Sequence, residues 1–185
     1  MRVFITGVVG FLGSHIAEYL ISQGHDVVGI DNLAGSETMN IPAGVNFHQI
    51  DCCDQKSVAT LAQDCEAVFH CAALAYEGLS VFSPTMVCRS IFDASTSVFS
   101  AAIANRVKRI VFCSSMARYG TNTPPFQEDY TPKPQDPYGI AKVASEQVLK
   151  TLCEVHDTEY VIAVPHNIIG PRQKLTTLFA MSQLS

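Results

Sequence analysis

Four residue sets in this 185-residue chain have types and spacings that could do chemistry together. Tyr138 and Lys142 stand four apart in Tyr138-Gly-Ile-Ala-Lys142, so on a helix both side chains share one face. An ammonium beside a phenol favours the phenolate and lowers its pKa, which would make Tyr138 a usable general base near neutral pH. Ser114 and Ser115 follow the apolar run Ile110-Val-Phe-Cys113, where a parallel strand presents its carboxyl end to a ligand crevice. Gly7, Gly10 and Gly13 lie between an apolar run and a helical pattern. In such a turn the first glycine permits the sharp bend, the second lets backbone approach a pyrophosphate, and the third lets helix and strand pack closely. The phosphates then sit on the helix N-terminus, where free N–H groups and the dipole favour anions. Asp31 lies 24 residues after Gly7 at the end of the next apolar run. A carboxylate there accepts hydrogen bonds from adenosine ribose hydroxyls and repels a 2′-phosphate. Asn32 and Leu33 offer no cation, so the pattern favours NAD over NADP.

Each feature alone has a plainer reading: a turn into a helix, a turn aspartate, a surface tyrosine and lysine. Their order along the chain argues for a dinucleotide site, and the elements around them must position it. Met1–Thr6 reads as a buried strand bounded by Gly7. Residues 11–23 read as a helix with Leu12, Ile16 and Leu20 on its stripe and Tyr19 beside them, ended by Gly24. Further strands are expected at Asp26–Ile30, Val45–Ile50, Ala67–His70, Arg109–Cys113 and Tyr160–Val164. Asp54 can cap a helix running to about Gln63, and a long helical pattern fills roughly 85–105. The loop 120–137 holds five of the nine prolines and cannot be regular structure. A last helix runs to about His156, with Ala144, Val148, Leu152 and Val155 on one stripe. Short continuous apolar strands alternating with helices predict an α/β fold, a doubly wound parallel sheet of the Rossmann NAD-binding type.

Composition narrows the classes. Hydrophobic residues make 48% of the chain and charged residues 16%, which excludes a disordered polypeptide. Lys plus Arg number 12 against 17 Asp plus Glu, a net charge of −5, and that excess of acid argues against a nucleic-acid partner. The seven cysteines are odd in number and form no Cys-x-x-Cys pair, so reduced thiols of a cytoplasmic protein are expected rather than a disulfide scaffold or a metal site. The apolar start resembles a leader, but its evenly spaced glycines fit the turn better. No run of apolar residues is long enough for a membrane helix.

Several motifs in order give a more specific resemblance. They are Gly7–Gly13, Asp31-Asn32, Val68-Phe-His-Cys-Ala-Ala73, Val107-Lys-Arg-Ile-Val-Phe-Cys-Ser-Ser115, Tyr119-Gly120, Pro137-Tyr-Gly-Ile-Ala-Lys142 and Asn167-Ile-Ile-Gly-Pro-Arg172. The chain resembles an extended short-chain dehydrogenase/reductase of the nucleotide-sugar epimerase/dehydratase family. Its Ser114–Tyr119 and Pro165–Gly170 variants resemble members from bacterial surface-polysaccharide clusters. The resemblance implies Tyr138 as acid/base, Lys142 on the nicotinamide ribose, and Ser115 on the sugar hydroxyl being oxidised. It implies a cofactor site of Gly7, Gly10, Phe11, Leu12, Gly13, Asp31, Asn32, Asp51, Cys52, Cys71, Ala72, Ala73, Tyr138, Lys142 and Pro165, with Asp51 and Cys52 beside adenine. Met116 and Asn167 would join Ser115 and Tyr138 around the substrate. The implied reaction is epimerisation of a UDP-hexose or UDP-uronic acid through a keto-sugar, with NAD unchanged at the end. The whole family member is implied to be a homodimer. A reductase or dehydrogenase of a small carbonyl compound and a non-catalytic dinucleotide-binding module remain the alternatives.

Departures from the family pattern sharpen this. Dehydratases and decarboxylases usually carry an acidic residue just after the strand-end serine, whereas Ser115 is followed by Met116, Ala117 and Arg118, which disfavours dehydration. A family asparagine in the long helix corresponds to Ile91, and the usual Tyr-Phe before Asn167 is Pro165-His166. His166 faces substrate or, more plainly, is structural. Arg118 contacts a sugar carboxylate or phosphate or, more plainly, is a solvated loop residue. Residues 1–165 are expected to form the NAD-binding domain, and 166–185 the truncated start of a substrate-binding part whose remainder is missing. The tail from Leu175 does not resemble the Tyr-Asp-Asp-Pro-Phe-Arg-Asn-Val stretch common in relatives. One nucleotide lost near codon 175 converts a coding sequence for that stretch into this tail. A frameshift is therefore expected, with a chosen chain end or a naturally short protein as the alternative. Weak or absent turnover by the chain alone is the accompanying expectation.

Overall fold

The computed structural model describes residues 1–173, so the expected frame-shifted tail lies outside the described residues. Six strands form one all-parallel sheet: Arg2–Thr6 (β1), Asp26–Asp31 (β2), Asn46–Gln49 (β3), Ala67–His70 (β4), Arg109–Cys113 (β5) and Glu159–Ala163 (β6). Their order is β3-β2-β1-β4-β5-β6. The chain winds outward from β1 in one direction, then returns to β4 and winds outward in the other. The carboxyl ends of β1 and β4 therefore diverge into a crevice, the place where a doubly wound sheet holds its ligand.

The strands read as apolar runs because both faces of the sheet are covered. In β1, Phe4 packs into the cluster with Val28, Val68, Phe99, Ile110 and Phe112. Its neighbours Val3 and Ile5 point the other way, onto Val8, Ala17 and Val27, as the two-residue strand period requires. The first face is covered by the helices Gln55–Leu61 (α2), Ala94–Ala104 (α5) and Pro137–His156 (α6), and the second by Phe11–Ser22 (α1). Asp54 caps α2 by accepting the Ser57 N–H at 3.2 Å. A buried histidine ties three elements together. His70 is hydrogen-bonded to Thr6 Oγ1 at 2.6 Å and to Ser95 Oγ at 3.0 Å. Burial holds its pKa at about 3, so the link between β1, β4 and α5 stays neutral.

Three helical expectations need correction. In α1 the buried residues are Gly13, Ser14 and Ala17, and Tyr19 is exposed, so it does not belong to the packed stripe. The helix pattern over 85–105 is interrupted. It resolves into Pro84–Cys88 (α4), a π-helical stretch Arg89–Asp93 and α5, preceded by the short helix Glu77–Phe82 (α3). The widened turn falls where Arg89 and Ser90 reach the crevice, a common setting for π-bulges. In α6 the buried face is Tyr138, Ala141, Lys142, Ser145, Glu146, Leu149 and Cys153. Ala144, Val148 and Leu152 flank it and Val155 is exposed. The apolar stripe fails as a guide because the sheet-facing side of α6 is largely polar. Among the described residues, no helix is long and apolar enough to cross a membrane.

Candidate active site

The glycine turn closes the crevice at β1. Gly7 has φ +68°, and its N–H donates to Ile30 O at 2.8 Å. A Cβ on Gly13 would stand 2.1 Å from Gly7 O, and one on Gly7 2.8 Å from the Ala72 backbone. Both positions are therefore restricted to glycine by close backbone packing. The N-terminus of α1 follows with no side-chain cap, leaving its first N–H groups free toward an anion. At the end of β2, Asp31 accepts the Val9 N–H at 3.2 Å and Ser36 Oγ–H at 3.3 Å on Oδ2, and the Leu33 N–H at 2.8 Å on Oδ1. It is thus a turn brace that also lines the crevice, and carboxylate oxygens keep lone pairs for a further donor. Burial pushes the Asp51 carboxyl up, but hydrogen bonds from the Cys53 N–H and Asn32 outweigh it, and the group lies below its usual range. The neighbouring Cys52 thiol is pushed up to about 12 by burial and stays protonated.

Across the crevice, Ser115 lies two residues beyond β5 and caps a single 3₁₀ turn, Met116–Arg118, its Oγ accepting the Ala117 N–H at 3.1 Å. Asp136 caps α6 through the Gly139 N–H at 2.9 Å, with Pro137 at the first helical position. That start fixes Tyr138 and, one turn later, Lys142, both buried. Lys142 Nζ donates to Cys113 O at 2.6 Å and lies 4.9 Å from the Phe112 ring centroid. Burial brings its pKa down to about 8. Burial also pushes the Tyr138 phenol up to about 12, against a hydrogen bond from Ser115 and with further upward push from the Glu77 and Asp136 carboxylates. The expectation that the lysine lowers the tyrosine's pKa therefore fails in the free protein. The ammonium is 6.0 Å from the Tyr138 ring centroid and committed to a carbonyl, while desolvation acts on the phenol directly.

A buried charge pair replaces the expected loop arginine. Arg118 is 8% exposed, and its Nη2 meets Glu146 Oε2 at 3.2 Å. The other Glu146 oxygen accepts the Ser114 hydroxyl. Arg118 is thus neither solvated nor aimed at a ligand. It locks the serine turn to α6. The spacing Tyr138, Lys142, Glu146 was the available signal for this residue, since four-residue steps keep one helix face. His166 is exposed and lines the crevice beside Tyr119 and Phe126, so it is not a buried structural histidine. Ile91 is fully buried and packs with Val87, Tyr138 and Ala141, so it contributes packing where the family has a polar side chain.

One cleft of about 1780 Å³ runs from the glycine turn to Ser115, Tyr138 and Lys142. The expected cofactor and substrate residues line it, from Gly7, Gly10, Phe11, Leu12 and Gly13 through Asp31, Asn32, Asp51, Cys52 and Cys71–Ala73 to Ser115, Met116, Tyr138, Lys142, Pro165 and Asn167, whereas Arg118 and Ile91 do not. The volume exceeds the roughly 300–1,000 Å³ of an ordinary small-molecule pocket and suits a dinucleotide with a second ligand. The sequence did not single out the wall contributed by Tyr76, Glu77 and Leu79, nor Cys113. Glu77 is the acidic member of that wall, and burial and Asp136 raise its carboxyl above the usual range.

The model of the NAD dependent epimerase/dehydratase family matches residues 3–183. A UDP-glucose 4-epimerase of Mycolicibacterium smegmatis is 33% identical over 94% of this chain and 58% of its own length. A UDP-N-acetyl-alpha-D-glucosaminuronate decarboxylase of Bacillus cytotoxicus is 31% identical over 94% of this chain and 56% of its own. Among solved structures, the UDP-glucose 4-epimerase of Thermotoga maritima, determined with UDP-glucose, superposes with a TM-score of 0.91. It is 31% identical, over 94% of this chain and 58% of that one. The chain thus spans a little over half the length of these relatives.

Proposed function

The chain belongs to the NAD dependent epimerase/dehydratase family, and on that premise we propose that its cleft binds NAD and a nucleotide-sugar and supports epimerisation through a keto-sugar. The observation that carries the reading is the convergence of Ser115, Tyr138 and Lys142 on one cleft whose far end is the glycine turn. The residues fit the cofactor. Gly7 and Gly13 leave no room for a Cβ, the uncapped α1 terminus suits a pyrophosphate, and Asp31 suits the adenosine ribose and disfavours a 2′-phosphate. When bound, NAD supplies the carbon that takes and returns a hydride, and its oxidised ring supplies a positive charge that favours a phenolate.

In this reading, Tyr138 removes the proton from the sugar hydroxyl as its carbon becomes a ketone, and returns it after the ketone has turned its other face. Ser115 holds that hydroxyl in line with Tyr138. Lys142 holds the nicotinamide ribose. Asn167 and Met116 flank the substrate. A phenol at about 12 is a poor base, so the free protein is set against premature proton transfer until positive charge arrives beside it. The Met116–Arg118 turn has no carboxylate, and Arg118 is committed to Glu146, which supports epimerisation over dehydration. The sugar, the activity of the whole protein and its assembly as a homodimer in the cytoplasm belong to the same proposal.

The test incubates the purified chain with NAD and UDP-hexoses or UDP-uronic acids, following interconversion by NMR and reduced nicotinamide by absorbance. Interconversion without net NADH is expected, weak in this chain alone because it spans a little over half the length of its relatives. Tyr138→Phe should cut it by about 10²–10⁴-fold, the usual worth of general acid–base catalysis, while NAD affinity stays within about threefold. Net NADH accumulation would indicate a dehydrogenase instead. NAD binding with no dependence of any turnover on Tyr138 would indicate a non-catalytic module.

A further inference from the structure

We propose that Cys71 and Cys113 form an oxidisable dithiol site in the floor of the cleft, which a hydroperoxide closes to a disulfide. Their sulfurs stand 3.6 Å apart in a thiol–thiol hydrogen bond. The ladder between β4 and β5 pairs His70 with Phe112, so the two cysteines occupy the next matched positions of neighbouring strands. Parallel strands run about 4.8 Å apart, inside the Cα separation of about 4.4–6.8 Å that a disulfide accepts. Closing the sulfurs to about 2.0 Å needs side-chain rotation rather than strand movement. Cys53, Cys65 and Cys88 differ, each donating to a backbone carbonyl.

Reactivity favours one member of the pair. The hydrogen bond from Cys71 and the nearby Lys142 ammonium hold the Cys113 thiol below its ordinary value, against burial. The same hydrogen bond, with burial, raises Cys71. Both residues line the cleft, so a small oxidant reaches them. The Cys113 thiolate attacks the peroxide oxygen, breaking the O–O bond and releasing an alcohol or water, and becomes a sulfenic acid. The Cys71 sulfur then attacks that sulfenic sulfur, and water leaves with the thiol proton. Two thiols and one hydroperoxide give one disulfide, one alcohol (or water) and one water. The sulfurs lose two electrons and the O–O bond gains them. The new bond lies beside the carbonyl that holds Lys142 and one residue before Ser114.

The test treats the purified chain with equimolar hydrogen peroxide, alkylates free thiols, and maps non-reduced peptides by mass spectrometry. A Cys71–Cys113 linked peptide that dithiothreitol removes is expected. In Cys71→Ser, Cys113 should accumulate as a dimedone-reactive sulfenic acid, and in Cys113→Ser, Cys71 should remain a free thiol. Recovery of both cysteines as free thiols in the folded wild-type chain, or scrambled linkages among all seven, overturns the proposal. The link to the cofactor rests on the proposed function and has its own readout. NAD at about ten times its Kd should slow linkage about tenfold, since only the free fraction reacts. Linkage that forms at the same rate with NAD present upholds the dithiol site and removes the cofactor reading of its surroundings.

Discussion

Replacing Lys142 by methionine should make the protein more stable at neutral pH while removing its proposed activity. Lys142 is 3% exposed, and burial takes its pKa from 10.5 to about 8. At about 1.36 kcal/mol per pH unit, carrying the ammonium inside the fold costs about 3 kcal/mol. Methionine has a similar length and no charge. It forfeits the bond to Cys113 O, worth about 1 kcal/mol once the amine is compared as neutral, so a net gain of about 1–2 kcal/mol is expected at pH 7. The sign against pH follows from linkage. Between pH 8 and 10.5 the unfolded lysine holds its proton and the native one has lost it, so wild-type stability rises with pH across that window. The advantage of Lys142→Met is therefore full below pH 8, shrinks through the window, and inverts above it. Urea denaturation followed by circular dichroism at pH 7 and pH 9.5 reads the difference directly, and Tyr138 contributes equally to both proteins. A variant less stable than wild type at pH 7, by a margin indifferent to pH, would refute a destabilising buried ammonium.

Three further perturbations test the surroundings. Arg118→Met leaves Glu146 buried and uncompensated, so it should lose about 3–5 kcal/mol in urea melts, whereas Arg118→Met with Glu146→Met should recover most of that loss. Gly13→Ala should lose several kcal/mol and all NAD binding in titration calorimetry, because its Cβ would stand 2.1 Å from Gly7 O. Asp31→Ala should weaken NAD binding by about 10-fold or more and unravel the turn at Leu33, whose N–H and φ of +62° depend on the carboxylate. Amide exchange at Leu33 distinguishes the second effect from the first.

The sheet was legible because burial on both faces writes itself into composition. Ala67–His70 and Arg109–Cys113 were bounded to the residue, and the remaining strands to within one residue at each end. Helices were legible where their buried face is apolar and misread where it is not. The sheet-facing side of α6 carries Lys142, Ser145 and Glu146, residues that any hydropathy pattern assigns to solvent. They are tolerated because each has a partner: Cys113 O for Lys142, Ala141 O one turn back for Ser145, and the Ser114 hydroxyl and the Arg118 guanidinium for Glu146. The short helix α3 escaped notice for the opposite reason, since its Val81 and Phe82 are exposed and leave no buried period. At the site, spacing placed Tyr138 and Lys142 on one face, but proton affinity depends on burial and on carbonyl partners that spacing does not encode.

The two perturbed groups make most sense together. Arg118 pairs with Glu146 behind the serine turn, whereas Lys142 stands in the cleft with a backbone carbonyl for its partner. The Lys142 ammonium therefore favours a negative charge on the Cys113 sulfur, whereas the Glu77 and Asp136 carboxylates disfavour one on Tyr138. A Tyr138 phenolate would favour the Lys142 ammonium and be favoured by it. In the free protein the phenol at about 12 and the ammonium at about 8 are each set chiefly by burial. A fixed positive ligand charge beside Tyr138 would offset those carboxylates, so the proposed general base should work only when its cleft is occupied.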